Sequence, residues 1–240
     1  MKKVIATAVI GLLPFAANAA KYQEMAVSDG GTITGKVMFK GKDAAPTVYK
    51  ITKDNEVCGT GNREIDYVRV NNGALMDVVV YLDKVKKGKA FPKELAKAEI
   101  DQKGCKFAPF LNVMMNGGST AAVNSDSVLH NIHTYEIIGK AKKTVYNVSQ
   151  PGGNTVTKKV KLKRGVAMKV ECDAHDFMHG FVFVAKNPYF AVVKADGTFE
   201  IKDVPPGKYT IRAFHGKLKN QKGKVEVAAN GTATVDFTFK

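Results

Sequence analysis

From residue 31 to the end, the chain is a series of short runs in which apolar and polar side chains alternate, separated by Gly, Asn, Asp and Pro. A period of two puts successive side chains on opposite faces of an extended strand, so the pattern predicts half-buried β-strands. Residues 32–40 are the clearest case: Ile33, Gly35, Val37 and Phe39 share one face, Lys36 and Lys40 the other. Asn71-Asn72-Gly73 then predicts a tight turn, because Asn-Gly tolerates positive φ. Residues 77–82 form instead a continuous apolar run through Val78, Val79 and Val80, which suits a strand covered on both faces. Further strands are expected over 48–52, 67–70, 106–115, 119–124, 133–138, 145–148, 155–162, 167–171 and 181–185. Five hairpin-like pieces follow between 189 and 239. Only 84–101 breaks the pattern: Pro92 opens P-K-E-L-A-K-A and predicts a short helical or loop insertion. The expected class is all-β, with turn signals at the spacing of β-sandwiches.

The N-terminus adds a compartment. Lys2 and Lys3 precede an apolar run over 4–17, and Ala17-Asn18-Ala19 fits a small-x-small cleavage site. Residues 1–19 therefore read as a secretory signal peptide, and no later apolar run has the length of a membrane span. The expected location is the periplasm or another secreted compartment. Export changes the meaning of three cysteines, because an oxidising compartment favours a disulfide. Cys58 and Cys105 are the expected bridge, which leaves Cys172 over, although spacing alone admits other pairings. The net charge of +15 comes from lysine clusters near predicted turns, with no recognition helix or stacking surface beside them. Nucleic acid is not expected as a partner. The charge reads as a solvated basic surface, or as a means of steering an acidic partner.

The chemistry concentrates in Val170-Glu171-Cys172-Asp173-Ala174-His175-Asp176-Phe177-Met178. A thiol, an imidazole and a thioether at spacings of three sit on one loop too short for separate uses. With one more imidazole they would make the two-His, one-Cys, long-Met ligand set of electron-transfer copper. An unpaired Cys in an exported protein is otherwise a liability. The bland reading is a buried Cys, a surface His and a core Met that merely fall together. The upstream stretch Asp126-Ser127-Val128-Leu129-His130-Asn131-Ile132-His133 offers the missing imidazole, from His130 or from His133. Those two lie three apart on a loop running into a strand, so only one can comfortably face an ion. Met114 and Met115 suggest Cu(I) uptake at first sight, but two Met in an apolar strand usually belong to a core. His179 is expected outside the coordination sphere, and His215 is expected to be structural or exposed.

His130-Asn131 together with Cys-x2-His-x2-Met resembles the cupredoxins, most closely the amicyanin- and plastocyanin-like blue copper domains. Phe107-Ala108-Pro109-Phe110, Gly117-Gly118-Ser119-Thr120 and Asn124-Ser125-Asp126 also look like the strands leading to a cupredoxin's first copper His. The resemblance implies a Greek-key β-sandwich, one type 1 copper, and His130, Cys172, His175 and Met178 as its ligands. It implies that Asn131 ties the two ligand loops together, with His133 beside the site, and that His175 on an exposed loop is the electron port. Asp176 departs from the family's usual Pro and would tune potential, docking or protonation of the adjacent His. Around this unit, Asp196-Gly197-Thr198-Phe199 and Val204-Pro205-Pro206-Gly207-Lys208-Tyr209 look like the second half of a carboxypeptidase regulatory-like β-sandwich, with Thr34-Gly35-Lys36-Val37 in its first half.

The resulting expectation is a signal peptide over 1–19, a cupredoxin domain over 99–187, and a second small β-sandwich assembled from 27–98 and 188–240. The implied function is a periplasmic blue copper protein, not an enzyme, that passes single electrons to an acidic redox partner such as a cytochrome c or a periplasmic dehydrogenase. Copper storage or delivery, and an adhesion module with a vestigial metal loop, are the alternatives.

Overall fold

The computed structural model describes residues 22–42 and 45–240. The expected signal peptide lies outside the described residues. Among the described residues nearly every regular element is a strand, and no helix is long and apolar enough to cross a membrane.

Two β-sandwiches account for most of the strands. In the first, Lys97–Gln102 runs between Phe107–Ala108 and Ser119–Asn124, with Thr155–Lys159 at the edge. Facing it is a five-stranded sheet in the order Leu111–Met115, His179–Ala185, Ala167–Glu171, His130–Ile138, Ala141–Gln150. Leu111–Met115 pairs parallel to His179–Ala185, so sequence-distant strands meet and the connections cross the ends of the sandwich. Ile100, Met114, Ile132, Met168, Val182 and Val184 fill its interior. Met114 is thus a core residue.

The second sandwich takes strands from both sides of the first. Val78–Asp83 lies between Phe190–Val192 and Gly207–His215, and Gly31–Phe39 pairs with Thr198–Val204. Ile33, Val37, Leu75, Leu82, Ile211 and Phe239 are completely buried in its core. The alternation over Gly31–Phe39 is realised as Ile33 and Val37 inward and Lys36 outward. Asn72 and Gly73 have φ of 48° and 81° between Val70–Asn71 and Ala74–Leu75, as the Asn-Gly signal requires.

Three segments differ from the pattern. Within 84–101 the helical signal yields a single 3-10 turn, Lys93–Ala96, and the chain then extends as Lys97–Gln102. Ala98, Ile100 and Gln102 face inward, so a period of two over six residues outweighs a helix propensity that covers one turn. Tyr67 and Val68 are both buried, which a half-exposed strand cannot accommodate; they occupy a bend and the strand is Asn62–Ile65. Finally, Thr47–Lys50 and Asn62–Ile65 form a hairpin closed by the short helix Asn55–Cys58. Sequence order assigns this hairpin to the flanking sandwich, but Ile51 and Cys58 pack into the core that contains Cys172. The Cys58–Cys105 disulfide fixes it there, with a Cα–Cα distance of 5.1 Å.

Candidate metal centre

The ligand loop is the connection between Ala167–Glu171 and His179–Ala185, which pair antiparallel from Ala167↔Phe183 to Glu171↔His179. Within it His175 N–H donates to the Cys172 carbonyl at 3.3 Å and Met178 N–H to the His175 carbonyl at 3.1 Å. A spacing of three is the reach of one turn, so two successive turns bring the three side chains to the same end of the sandwich. Cys172, His175 and Met178 are 3%, 1% and 1% exposed.

The strand His130–Ile138 supplies the opposing side. Cys172, His130 and His175 each bring one ligand atom to within 4.8 Å of the others. His130 Nδ1 is 3.1 Å from His175 Nδ1, and Cys172 Sγ is 3.6 Å from His175 Nδ1. Donors about 2.0 to 2.3 Å from a common ion stand about 3 to 4 Å apart, which is the spacing found. Met178 shares the buried cluster with Cys172 and Phe177. Asn131 joins the two loops: its N–H donates to Cys172 Sγ at 3.3 Å, and its Oδ1 accepts from Asp173 N–H at 3.2 Å. A second grouping, Cys105 with Asp126 and His130, is not a thiolate site because the sulfur of Cys105 is held in the disulfide.

Two carboxylates missed in the sequence complete the arrangement. His130 Nε2 meets Asp126 Oδ2 at 2.8 Å, and His175 Nε2 meets Asp54 Oδ2 at 2.8 Å. A carboxylate only accepts, so both imidazoles carry their proton on Nε2. Their Nδ1 lone pairs are left facing one another beside a sulfur, and a cation satisfies that buried convergence of acceptors best. Burial pushes Asp126 up, but N–H groups of Cys105 and Gly104 and the His130 ring outweigh it and hold the carboxyl below its usual range. Burial pushes the Cys172 thiol up and His175 down, the latter opposed by Asp54. The metal-free site therefore holds a thiol and a neutral imidazole, and an ion would bind with loss of the thiol proton.

The other expected residues divide. His133 lies outside the convergence, bonded to Asp173 and Thr144. Asp176 is exposed, and it is its backbone carbonyl, not its carboxylate, that accepts a bond from His179 Nε2 at 2.6 Å. His179 packs against the rings of Tyr49 and Tyr67. His175 is not the exposed port that was expected: Asp54, brought by the hairpin, covers its outer nitrogen. Asp126 had a faint signal, standing four residues before His130. Asp54 had none, since 121 residues separate it from His175.

The comparisons with known proteins bear on parts of the chain. A family model described as polysaccharide lyase family 4, domain II matches residues 174–235, which run from the ligand loop through most of the C-terminal strands of the second sandwich. The match is to that family and not to the carboxypeptidase regulatory-like sandwich. No curated protein matches. Among solved structures the chain is similar to a copper-containing nitrite reductase from Thermus scotoductus SA-01, at 15% identity and TM-score 0.30, covering 37% of this chain and 22% of that one. It is also similar to a purple cupredoxin from Nitrosopumilus maritimus, at 20% identity and TM-score 0.31, over 37% of this chain and 99% of that one. A third likeness is to amicyanin from Paracoccus versutus, at 17% identity and TM-score 0.31, over 39% and 84%.

Proposed function

We propose that the chain is an exported type 1 copper protein that carries single electrons between protein redox partners. The observation that carries this reading is the pair of Nδ1 atoms, 3.1 Å apart, converging with the one free cysteine in a site closed to solvent. Two imidazoles, a thiolate and a buried thioether at Met178 are the donor set of blue copper. Copper held there would supply a one-electron Cu(I)/Cu(II) couple. The chain's own groups supply constraint: Asp126 and Asp54 fix both ring orientations, Asn131 donates to the thiolate, and the strands on either side hold the loop. Restricting rearrangement between two oxidation states is what makes electron transfer fast.

The burial of His130, Cys172, His175 and Met178 supports a carrier over an enzyme, since no substrate reaches the ion directly. It also supports a carrier over a delivery protein, which must surrender its metal. The disulfide suits an oxidising compartment, and we read residues 1–19 as its export signal. We place the copper domain at 99–187 with the capping hairpin added, and the second sandwich as its mount. The basic surface favours an acidic partner.

Addition of Cu(II) to the purified protein is expected to give an intense visible thiolate-to-copper band, absent in Cys172→Ala. A colourless complex, or a band that survives the substitution, rules the reading out.

A further inference from the structure

The cap over His175 is built from several independent contacts. Asp54 stands at the N-terminus of the Asn55–Cys58 helix with φ of 51°, and its carboxylate does not cap that helix. It reaches His175 instead. The Arg63 guanidinium donates to the carbonyls of Cys58, Gly104 and Cys105, clamping the hairpin to the copper sandwich beside the disulfide. The same guanidinium lies 5.2 Å over the ring of Phe177, in the ligand loop. A partner approaching His175 therefore meets a fixed carboxylate and a stapled hairpin.

The cysteine side of the centre is built differently. Asp173, bonded to Cys172 in the chain, has its carboxylate 3.0 Å from His133 Nδ1, and the His133 ring stacks on Tyr135 with centroids 3.9 Å apart and planes 26° apart. Lys142 Nζ sits 4.1 Å over the Tyr135 ring. Asp173 is exposed, and His133 and Tyr135 are partly so. Lys140 stands on the turn just before Lys142, and this face continues into a cleft of about 300 Å³ rimmed by Lys140, Lys142, Lys169 and Lys217. Glu171 pairs with Lys142 and Lys169 and leaves the face a net positive charge.

We propose that the stapled hairpin closes the His175 edge, and that the His133–Tyr135 face is the electron port and the docking surface for an acidic one-electron acceptor protein. This rests on the copper reading above. One electron leaves the reduced centre by way of Cys172, Asp173 and the stacked pair; the centre is oxidised by one, the acceptor is reduced by one, and no bond or proton changes hands. The aromatic pair gives the electron a surface terminus one covalent link and one hydrogen bond from the thiolate residue. The lysines attract the acidic acceptor and orient it there.

Two measurements on the full chain test this. Hexacyanochromate(III), a redox-inert paramagnetic anion, is expected to broaden NMR signals of His133, Tyr135 and Lys142 and to spare Asp54 and the Asn55–Cys58 helix; this reading does not need copper. With the copper-loaded reduced protein, oxidation by hexacyanoferrate(III) at low salt is expected to slow about tenfold in the double variant Lys140→Glu, Lys142→Glu. Lys194→Glu, in the other sandwich, is expected to leave the rate unchanged. Broadening centred on Asp54 and the Asn55–Cys58 helix, or an unaltered rate in the double variant, overturns the proposal. So does displacement of the chromium probe by a single-stranded oligonucleotide but not by a poly-glutamate peptide, which would assign the face to nucleic acid. If no blue band forms, the copper reading falls, while the relaxation map still decides where an anion docks.

Discussion

Asp54 and Asp126 act alike from opposite sides of the candidate site, each taking the outer N–H of one of the two converging histidines. Neither spacing nor pattern marks them as a pair, because the function of a carboxylate beside a ligand depends on where its oxygen ends up. Asp176 illustrates the converse: adjacent to His175 in the chain, it is exposed and offers the site only its carbonyl. His215, far from the candidate site, is the clearest residue-scale source of pH dependence. It is 3% exposed, and its Nδ1 accepts from the N–H groups of Lys217 and Leu218. Burial pushes it down to about 4, against a weaker upward pull from Asp77 and Asp66. The folded state thus favours the neutral ring. Its contribution is complete above the unfolded value of 6.5 and is lost as pH falls from there to about 4. That shift corresponds to about 3 kcal/mol. Urea midpoints at pH 7.5 and 4.5 are expected to fall further apart in the wild type than in His215→Gln; equal separations would contradict this account.

At the scale of elements, the ligand loop was legible because its chemistry is local. Cys-x2-His-x2-Met carries its own turn spacing, and the strands on both sides follow from alternation over 167–171 and 181–185. The hairpin Thr47–Ile65 was not legible as a cap, since Cys58 gives no hint of what lies beneath it. The bridge to Cys105 joins residues 47 apart in sequence. Its removal in Cys58→Ala, Cys105→Ala is expected to cost about 2 to 4 kcal/mol in denaturant unfolding. Amide exchange across residues 47–65 is expected to rise more than in either sandwich, because only non-covalent contacts, among them those of Tyr49, Ile51, Asp54 and Arg63, then hold the hairpin. Uniform protection loss would place the bridge's effect in the whole fold instead.

For the molecule as a whole, the question is how firmly two sandwiches are joined when one interrupts the other. Phe183 lies between them, with ring centroids 5.1 Å from Tyr81 and 5.9 Å from each of Phe190 and Phe214. Gly216 adds a close approach: a Cβ there would fall 2.5 Å from the Phe181 ring. Phe183→Ala is expected to cost about 3 to 5 kcal/mol. It should also split a single calorimetric transition into two, because the shared aromatic layer couples the sandwiches; one sharp transition at lower temperature would show that they still unfold together.

The sequence by itself determined the all-β class, the buried central strand 77–82, the turn at Asn72-Gly73 and the loop that carries Cys172, His175 and Met178. Each of these is set by periodicity or by turn chemistry within a few residues. Tertiary structure alone decided that Lys97–Gln102 extends rather than coils, that Asp54 closes His175, and that His133 and Tyr135 stand at the surface beside Cys172. Those outcomes depend on which distant backbone covers which side chain. The loop from Cys172 to Met178 sets the donors, and packing around it sets which distant groups cover them.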